Sequence, residues 1–155
     1  MESIILNPIG VVRSTRTKTA DDNWDAETVY IELDPSQFSP AAFAGLSEFS
    51  HVQILFFMNQ VKADQIETAS RHPRNNTKLP KVGIFAHRAK NRPNRTGITI
   101  CEILKLDGLM LYVEGLDAID GTPVLDIKPW VAEFGPRGPV HQPAWMTELM
   151  RGYWR

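Results

Sequence analysis

The chain has 155 residues, a length that fits one domain with a real hydrophobic core, and 43% apolar with 23% charged residues is globular composition rather than disorder. Its net charge of −1 argues against a generic nucleic-acid binder, and its single cysteine, Cys101, excludes an intrachain disulfide and any all-cysteine metal site. No apolar run nears the roughly 20 residues of a membrane span, and no secretory signal opens the chain, so a soluble cytoplasmic protein is expected.

Residues 4–13 and 28–33 read as strands, the second with the alternation of a half-buried one. Residues 14–25 between them are polar and irregular. Pro35 and Pro40 bracket a turn, and residues 41–48 form a short helix. Residues 51–58 are almost wholly apolar, which predicts a strand buried on both faces. Residues 62–80 carry no periodicity and hold Pro73, Asn75, Asn76 and Pro80, a long loop of the kind that is functional or disordered. Strands follow over 81–86, 97–105, 109–116 and 124–127. Asp107-Gly108 predicts a hairpin with a type I′ turn, and Asp120-Gly121 a second turn. Residues 145–154 form a closing helix whose Met146, Leu149, Met150 and Tyr153 share one face, a stripe suited to core or a dimer contact. Short strands with few helices predict a mainly β fold: a small β-barrel or sandwich. No Rossmann or phosphate-loop signature is present.

Charge is unevenly distributed. Eight Lys and Arg and no Asp or Glu fall between Arg71 and Arg95, whereas Glu114, Asp117, Asp120 and Asp126 follow with only Lys128 among them. The basic segment, residues 85–97, is dense in donors. Arg88 and Arg92 offer planar forks for carboxylate or phosphate, and Pro93 stiffens the loop. The acidic segment, residues 117–130, sets carboxylates around a tight turn. Each alone is ambiguous, since Asp126 and Lys128 also suit a plain ion pair. His72 and His141 share no ligand spacing with another His or Cys, so no metal is expected. Cys101, among Ile100, Ile103 and Leu104, reads as core.

Together the two segments are specific. Gly83-Ile84-Phe85-Ala86-x-Arg88-x-x-x-Arg92-Pro93-Asn94-x-x-Gly97, paired with Asp120-Gly121-Thr122-Pro123-Val124-Leu125-Asp126-Ile127-Lys128-Pro129, resembles the TsaA-like family, also called the TrmO family. Pro8-Ile9-Gly10-Val11-Val12 and Leu46-Ser47-Glu48-Phe49-Ser50-His51-Val52 fit it as well. His87, Ala89, Lys90, Arg95 and Thr96 depart from the family's usual form of the first motif. The resemblance covers a motif region over 8–130, leaving a C-terminal extension over 131–155 in the same domain.

The resemblance implies a small β-barrel with short peripheral helices and a C-terminal helix, often dimeric. It also implies an S-adenosylmethionine-dependent methyltransferase whose characterised acceptor is N6 of threonylcarbamoyladenosine in tRNA. The cofactor set it implies is Phe85, Ala86, His87, Arg88, Arg92, Asn94, Asp117, Asp120 and Lys128. Phe85 and Ala86 are expected at the adenosine and a carboxylate at the ribose or sulfonium. Arg88 or Arg92 would take the methionyl carboxylate or an acceptor phosphate. His51 and Asp126 are the candidate bases, although a histidine at a strand start is also a common structural residue. Arg71, Arg74, Lys90 and Arg95 are the expected RNA contacts, the first two on a mobile basic arm. A different acceptor for the same cofactor, or a nucleotide- or RNA-binding module without turnover, would fit the same residues.

Overall fold

Burial alternates along the strands, one side chain inward and the next outward. The computed structural model describes residues 2–155. Its strands are β1 (Gly10–Ser14), β2 (Val29–Leu33), β3 (His51–Phe57), β4 (Ser70–Arg71), β5 (Val82–Gly83), β6 (Thr96–Asp107), β7 (Met110–Glu114) and β8 (Pro123–Pro129). Six of them close a barrel in the order β1-β2-β7-β6-β3-β8, every neighbouring pair antiparallel. Closure leaves most strands without a free edge. Val12, Ile31, Ile54, Cys101, Leu111 and Val124 are fully buried inside it. The mainly β barrel expected from the sequence is the fold observed.

Several boundaries differ from expectation. β1 pairs only from Gly10, and Ile4 and Ile5 upstream are 85% and 87% exposed. β3 buries Val52, Ile54 and Phe56, while Gln53, Leu55 and Phe57 are half-buried. Its apolar run is therefore a barrel wall with a greasy outer face, not a strand buried on both faces. Residues 41–48 form two 3-10 turns, Pro40–Phe43 and Leu46–Glu48, in place of one helix. Only Val82–Gly83 of residues 81–86 is strand; it pairs with β4 and passes directly into a 3-10 turn, Ile84–Ala86. The β6–β7 hairpin forms, but Asp107 pairs with Met110, so the two central residues are Gly108 and Leu109. Only Gly108 has positive φ (61°), the pattern of type II′ rather than I′. The expected closing helix is one short helix, α1 (Ala144–Leu149), after which the chain turns back onto the barrel.

Cys101 is fully buried in β6, as expected of a core residue. Burial pushes its thiol far above the ordinary range, with the charge of Asp117 adding to the effect. Native protein should not react with an aromatic disulfide reagent at pH 8 until denaturant is added; rapid labelling of folded chain would show that β6 opens readily. A thiol in the unfolded chain ionises near about pH 8.5. The folded chain keeps its proton there, so this contribution to stability is intact below that pH and declines as pH rises above it.

Candidate functional site

β6 is longer than its partner, and the mismatch creates the site. β7 ends at Glu114, opposite Glu102, so residues 96–101 of β6 have β3 on one side and no strand on the other. The amides of Met58 and Ile103 donate to Arg95 and Ser50 across the β3–β6 pair. By alternation, the peptide groups of Ile98 and Ile100 point away from β3, toward the open side. Arg88 meets that edge, its Nη2 donating to the Ile98 carbonyl at 2.5 Å. Thr99 points inward and donates its hydroxyl to Asp117 Oδ1, while Tyr153 donates to Asp117 Oδ2. Burial raises the Tyr153 phenol well above its usual range, and the Asp117 carboxylate raises it further, against a smaller opposing pull from Arg88 and Arg74. Tyr153 is thus a neutral donor latched to a carboxylate.

The segment that carries Arg88 is held by its own neighbours. His87 is buried, with Nε2 3.1 Å from both the Arg71 and Val82 carbonyls, so Nε2 carries the proton. Arg92 Nη1 donates to the His87 carbonyl and, at 3.5 Å, to that of Ile84, closing the 3-10 turn. Arg95 Nη1 donates to the Val61 carbonyl at 2.8 Å and its guanidinium lies 4.6 Å from the Phe57 ring centre. These three side chains shape the segment. What they present outward is Phe85, 82% exposed, with Ala86, Arg88, Lys90 and Asn94.

A cavity of about 450 Å³ lies against this segment, with Ala86 and Arg88 on one wall and Trp145, Met146 and Met150 on the other. Met146 and Met150 of the C-terminal stripe therefore face a cavity rather than the core.

Other expected site residues lie elsewhere. Asp120 Oδ1 accepts from the Ser14 amide at 3.1 Å, which ties a turn to the end of β1. Asp126 pairs with Lys128 at 2.7 Å and accepts from the Ile127 amide. Asp126 is opposite Leu55, which is opposite Ile98, so two strand spacings, roughly 10 Å, separate Asp126 from the Arg88 edge. His51, with Nδ1 2.8 Å from Ser50 Oγ, starts β3 four residues before Leu55, about 13 Å along the strand. The two candidate bases thus do not share a site, and neither lines the cavity. Arg71 binds the side chains of Asn75 and Asn91, and Arg74 pairs with Asp22 at 2.7 Å. The loop expected to be a mobile arm is a 3-10 turn, Pro73–Asn75, pinned by a buried Pro73 and that ion pair. Sequence reasoning missed Thr99, which read only as a strand residue, and Tyr153, whose membership of an apolar stripe hid its bond to Asp117.

Residues 17–135 match the tRNA-methyltransferase O N-terminal domain family. The chain belongs to that family. A probable S-adenosyl-L-methionine-binding protein of Methanothermobacter thermautotrophicus is 35% identical over 139 residues, 87% of this chain and 96% of that one. The tRNA (adenine(37)-N6)-methyltransferase of Mus musculus is 43% identical over 90 residues, 58% of this chain and 20% of its own length. The chain therefore spans about a fifth of the mammalian relatives it matches. The crystal structure of TrmO from Pseudomonas aeruginosa superposes with a TM-score of 0.71 at 30% identity, covering 90% of this chain and 61% of that one. The match to the family model ends at residue 135, before the segment that supplies the cavity's second wall.

Proposed function

We propose that this chain is an S-adenosylmethionine-dependent methyltransferase that acts on N6 of an adenine in tRNA, with threonylcarbamoyladenosine as acceptor. The observation that carries this reading is family membership together with a cavity bordered by the family's own motif residues, Ala86 and Arg88. The residues fit the cofactor. Arg88 spends one donor on Ile98, which leaves a guanidinium face for the methionyl carboxylate. Phe85 offers an exposed ring to a purine, and the Met and Trp side chains a dry wall. When bound, S-adenosylmethionine supplies an electrophilic methyl carbon. The chain's part is to align the acceptor nitrogen with it and keep water out. Asp117, already accepting from Thr99 and Tyr153, positions this wall rather than binding ribose directly. An N6–H beside a carbonyl is more acidic than that of adenine, so only modest base assistance is needed to take its proton.

Lys78, Lys81 and Lys90 are exposed near the segment and would meet RNA phosphates, whereas Arg71, Arg74 and Arg95 hold the loops that carry them. The motif region and the C-terminal extension act as one unit. The protein works in the cytoplasm as a homodimer, for which exposed Ile98, Ile100 and Leu104 on the outer face of β6 provide apolar surface. Titration calorimetry should give micromolar binding of S-adenosylmethionine, weakened about tenfold or more by Arg88→Ala, which removes a charge-assisted contact. Methyl transfer to tRNA bearing threonylcarbamoyladenosine should follow, with binding of that tRNA falling steeply as salt rises. A folded sample that binds no cofactor with or without tRNA would overturn the assignment.

A further inference from the structure

We infer that His87 is a positioning residue that couples RNA binding on one loop to cofactor binding at Arg88. The loop is residues 72–81, where Lys78 and Lys81 are exposed; Arg88 borders the cavity. The inference rests on the proposed function and adds to it a link between two binding surfaces. His87 is one of the positions where the chain departs from the usual form of the motif, so family membership assigns it no role.

The loop stands on a narrow base. β4 and β5 pair only as Ser70 with Gly83 and Arg71 with Val82. So short a hairpin is not stable in water by itself, and its geometry depends on what braces it. The brace is the buried His87 imidazole, with Nε2 3.1 Å from the carbonyls of both Arg71 and Val82, the pair next to the loop. One N–H shared between the two strands holds them together from outside the ladder. Farther out, Arg74 and Asn75 have positive φ, 50° and 57°, a backbone region that side-chain-bearing residues enter at a cost.

The same residue sets Arg88. The His87 amide donates to the Ile84 carbonyl at 3.2 Å, its own carbonyl accepts from Arg92 Nη1, and Arg88 follows it directly in the chain. Imidazole and peptide of one residue therefore join the base of the loop to the turn that carries Arg88. Arg71 Nη1 also donates to Asn91 Oδ1 at 3.1 Å, but that bond reaches the segment three residues beyond Arg88. Neither Lys78 nor Lys81 has an ion-pair partner among the described residues, which leaves both ammonium groups for phosphate. Phosphates on these lysines fix the loop, and the imidazole passes that restraint to Arg88. A cofactor that arrives second then loses less conformational freedom on binding. The coupling is reciprocal, so the cofactor restrains the loop to the same degree.

The experiment measures the affinity of the full chain for S-adenosylhomocysteine, the demethylated cofactor, without and with a saturating anticodon stem-loop RNA. The target adenosine of that RNA is replaced by uridine, so that no acceptor adenine enters the site. In wild type the RNA should raise the affinity about fivefold or more, the lower end of couplings between distinct sites. His87→Ala should abolish the rise and leave the affinity without RNA nearly unchanged, because Arg92 still holds the turn. His87→Gln, whose amide nitrogen carries two N–H groups, should restore the rise. An equal rise in His87→Ala, or no rise in wild type, overturns the inference and leaves the cofactor reading standing. The same loss of affinity with and without RNA in His87→Ala also overturns it, since the residue is then structural only. Wild type that binds no S-adenosylhomocysteine removes the cofactor reading, and the inference falls with it. Tryptic cleavage of wild type after Lys78 and Lys81 gives a readout that needs no variant. Bound S-adenosylhomocysteine should slow it, and cleavage indifferent to the ligand would sink the coupling.

Discussion

Gly97→Ala should be strongly destabilising for a single added methyl, lowering unfolding free energy by about 3 kcal/mol. A Cβ at this position would lie 2.2 and 2.3 Å from Cζ and Cε2 of Phe56. Phe56 is the cross-strand partner of Gly97 and is nearly fully buried in the core cluster, so its ring has no room to step aside. Overpacking of this kind drives side chains off their rotamers or shifts backbone. In a domain of this size the loss corresponds to a drop of about 6–12 °C in melting temperature. The motif glycine is thus needed for space beneath an aromatic ring, where the site segment enters the barrel. Phe56→Leu supplies the control. Alone it should destabilise by leaving a void, yet combined with Gly97→Ala it should recover part of the loss. Denaturant unfolding of all four proteins measures the coupling. Strict additivity of the two changes would show that ring and glycine do not share the space.

How far the sequence could be read follows from which signals are local. β2 declared itself because Val29, Ile31 and Leu33 alternate with half-buried residues on one short stretch. β3 misled because Leu55 and Phe57 are apolar on the outer face as well, and periodicity has no way to mark which side of a barrel wall is solvent. The pairing of Asp126 with Lys128 was legible from spacing alone, since residues two apart share a face of a strand. The latch among Thr99, Asp117 and Tyr153 was not. It depends on β7 ending before β6 and on a tail returning across 36 residues of sequence, and neither leaves a local pattern. The arginines show the same limit from the other side. A guanidinium suits a ligand carboxylate and a backbone carbonyl equally well in sequence, but Arg92 and Arg95 are occupied by carbonyls, and only Arg88 remains turned to the cavity.

That division makes Arg92→Lys more informative than Arg92→Ala. If Arg92 met the cofactor's carboxylate directly, lysine would keep the charge and most of the affinity. In the structure it instead bridges the carbonyls of Ile84 and His87, and so holds the turn that sets Phe85, Ala86 and Arg88. A lysine ammonium is a point charge on a flexible stem and lacks the planar guanidinium that sets Nη1 between both carbonyls. Lys and Ala at this position should therefore be nearly equivalent, each weakening S-adenosylmethionine about tenfold, an effect of about 1.4 kcal/mol. Stability should fall less than for Gly97→Ala, because the lost hydrogen bonds, about 1–3 kcal/mol in full burial, are at a half-exposed side chain where water replaces them. Calorimetric affinity and melting temperature, measured on both variants, separate the cases. Near-normal affinity in the lysine variant alone would make Arg92 a ligand contact and return the turn's position to the His87 imidazole, which donates to Arg71 and Val82 on the strands beneath it.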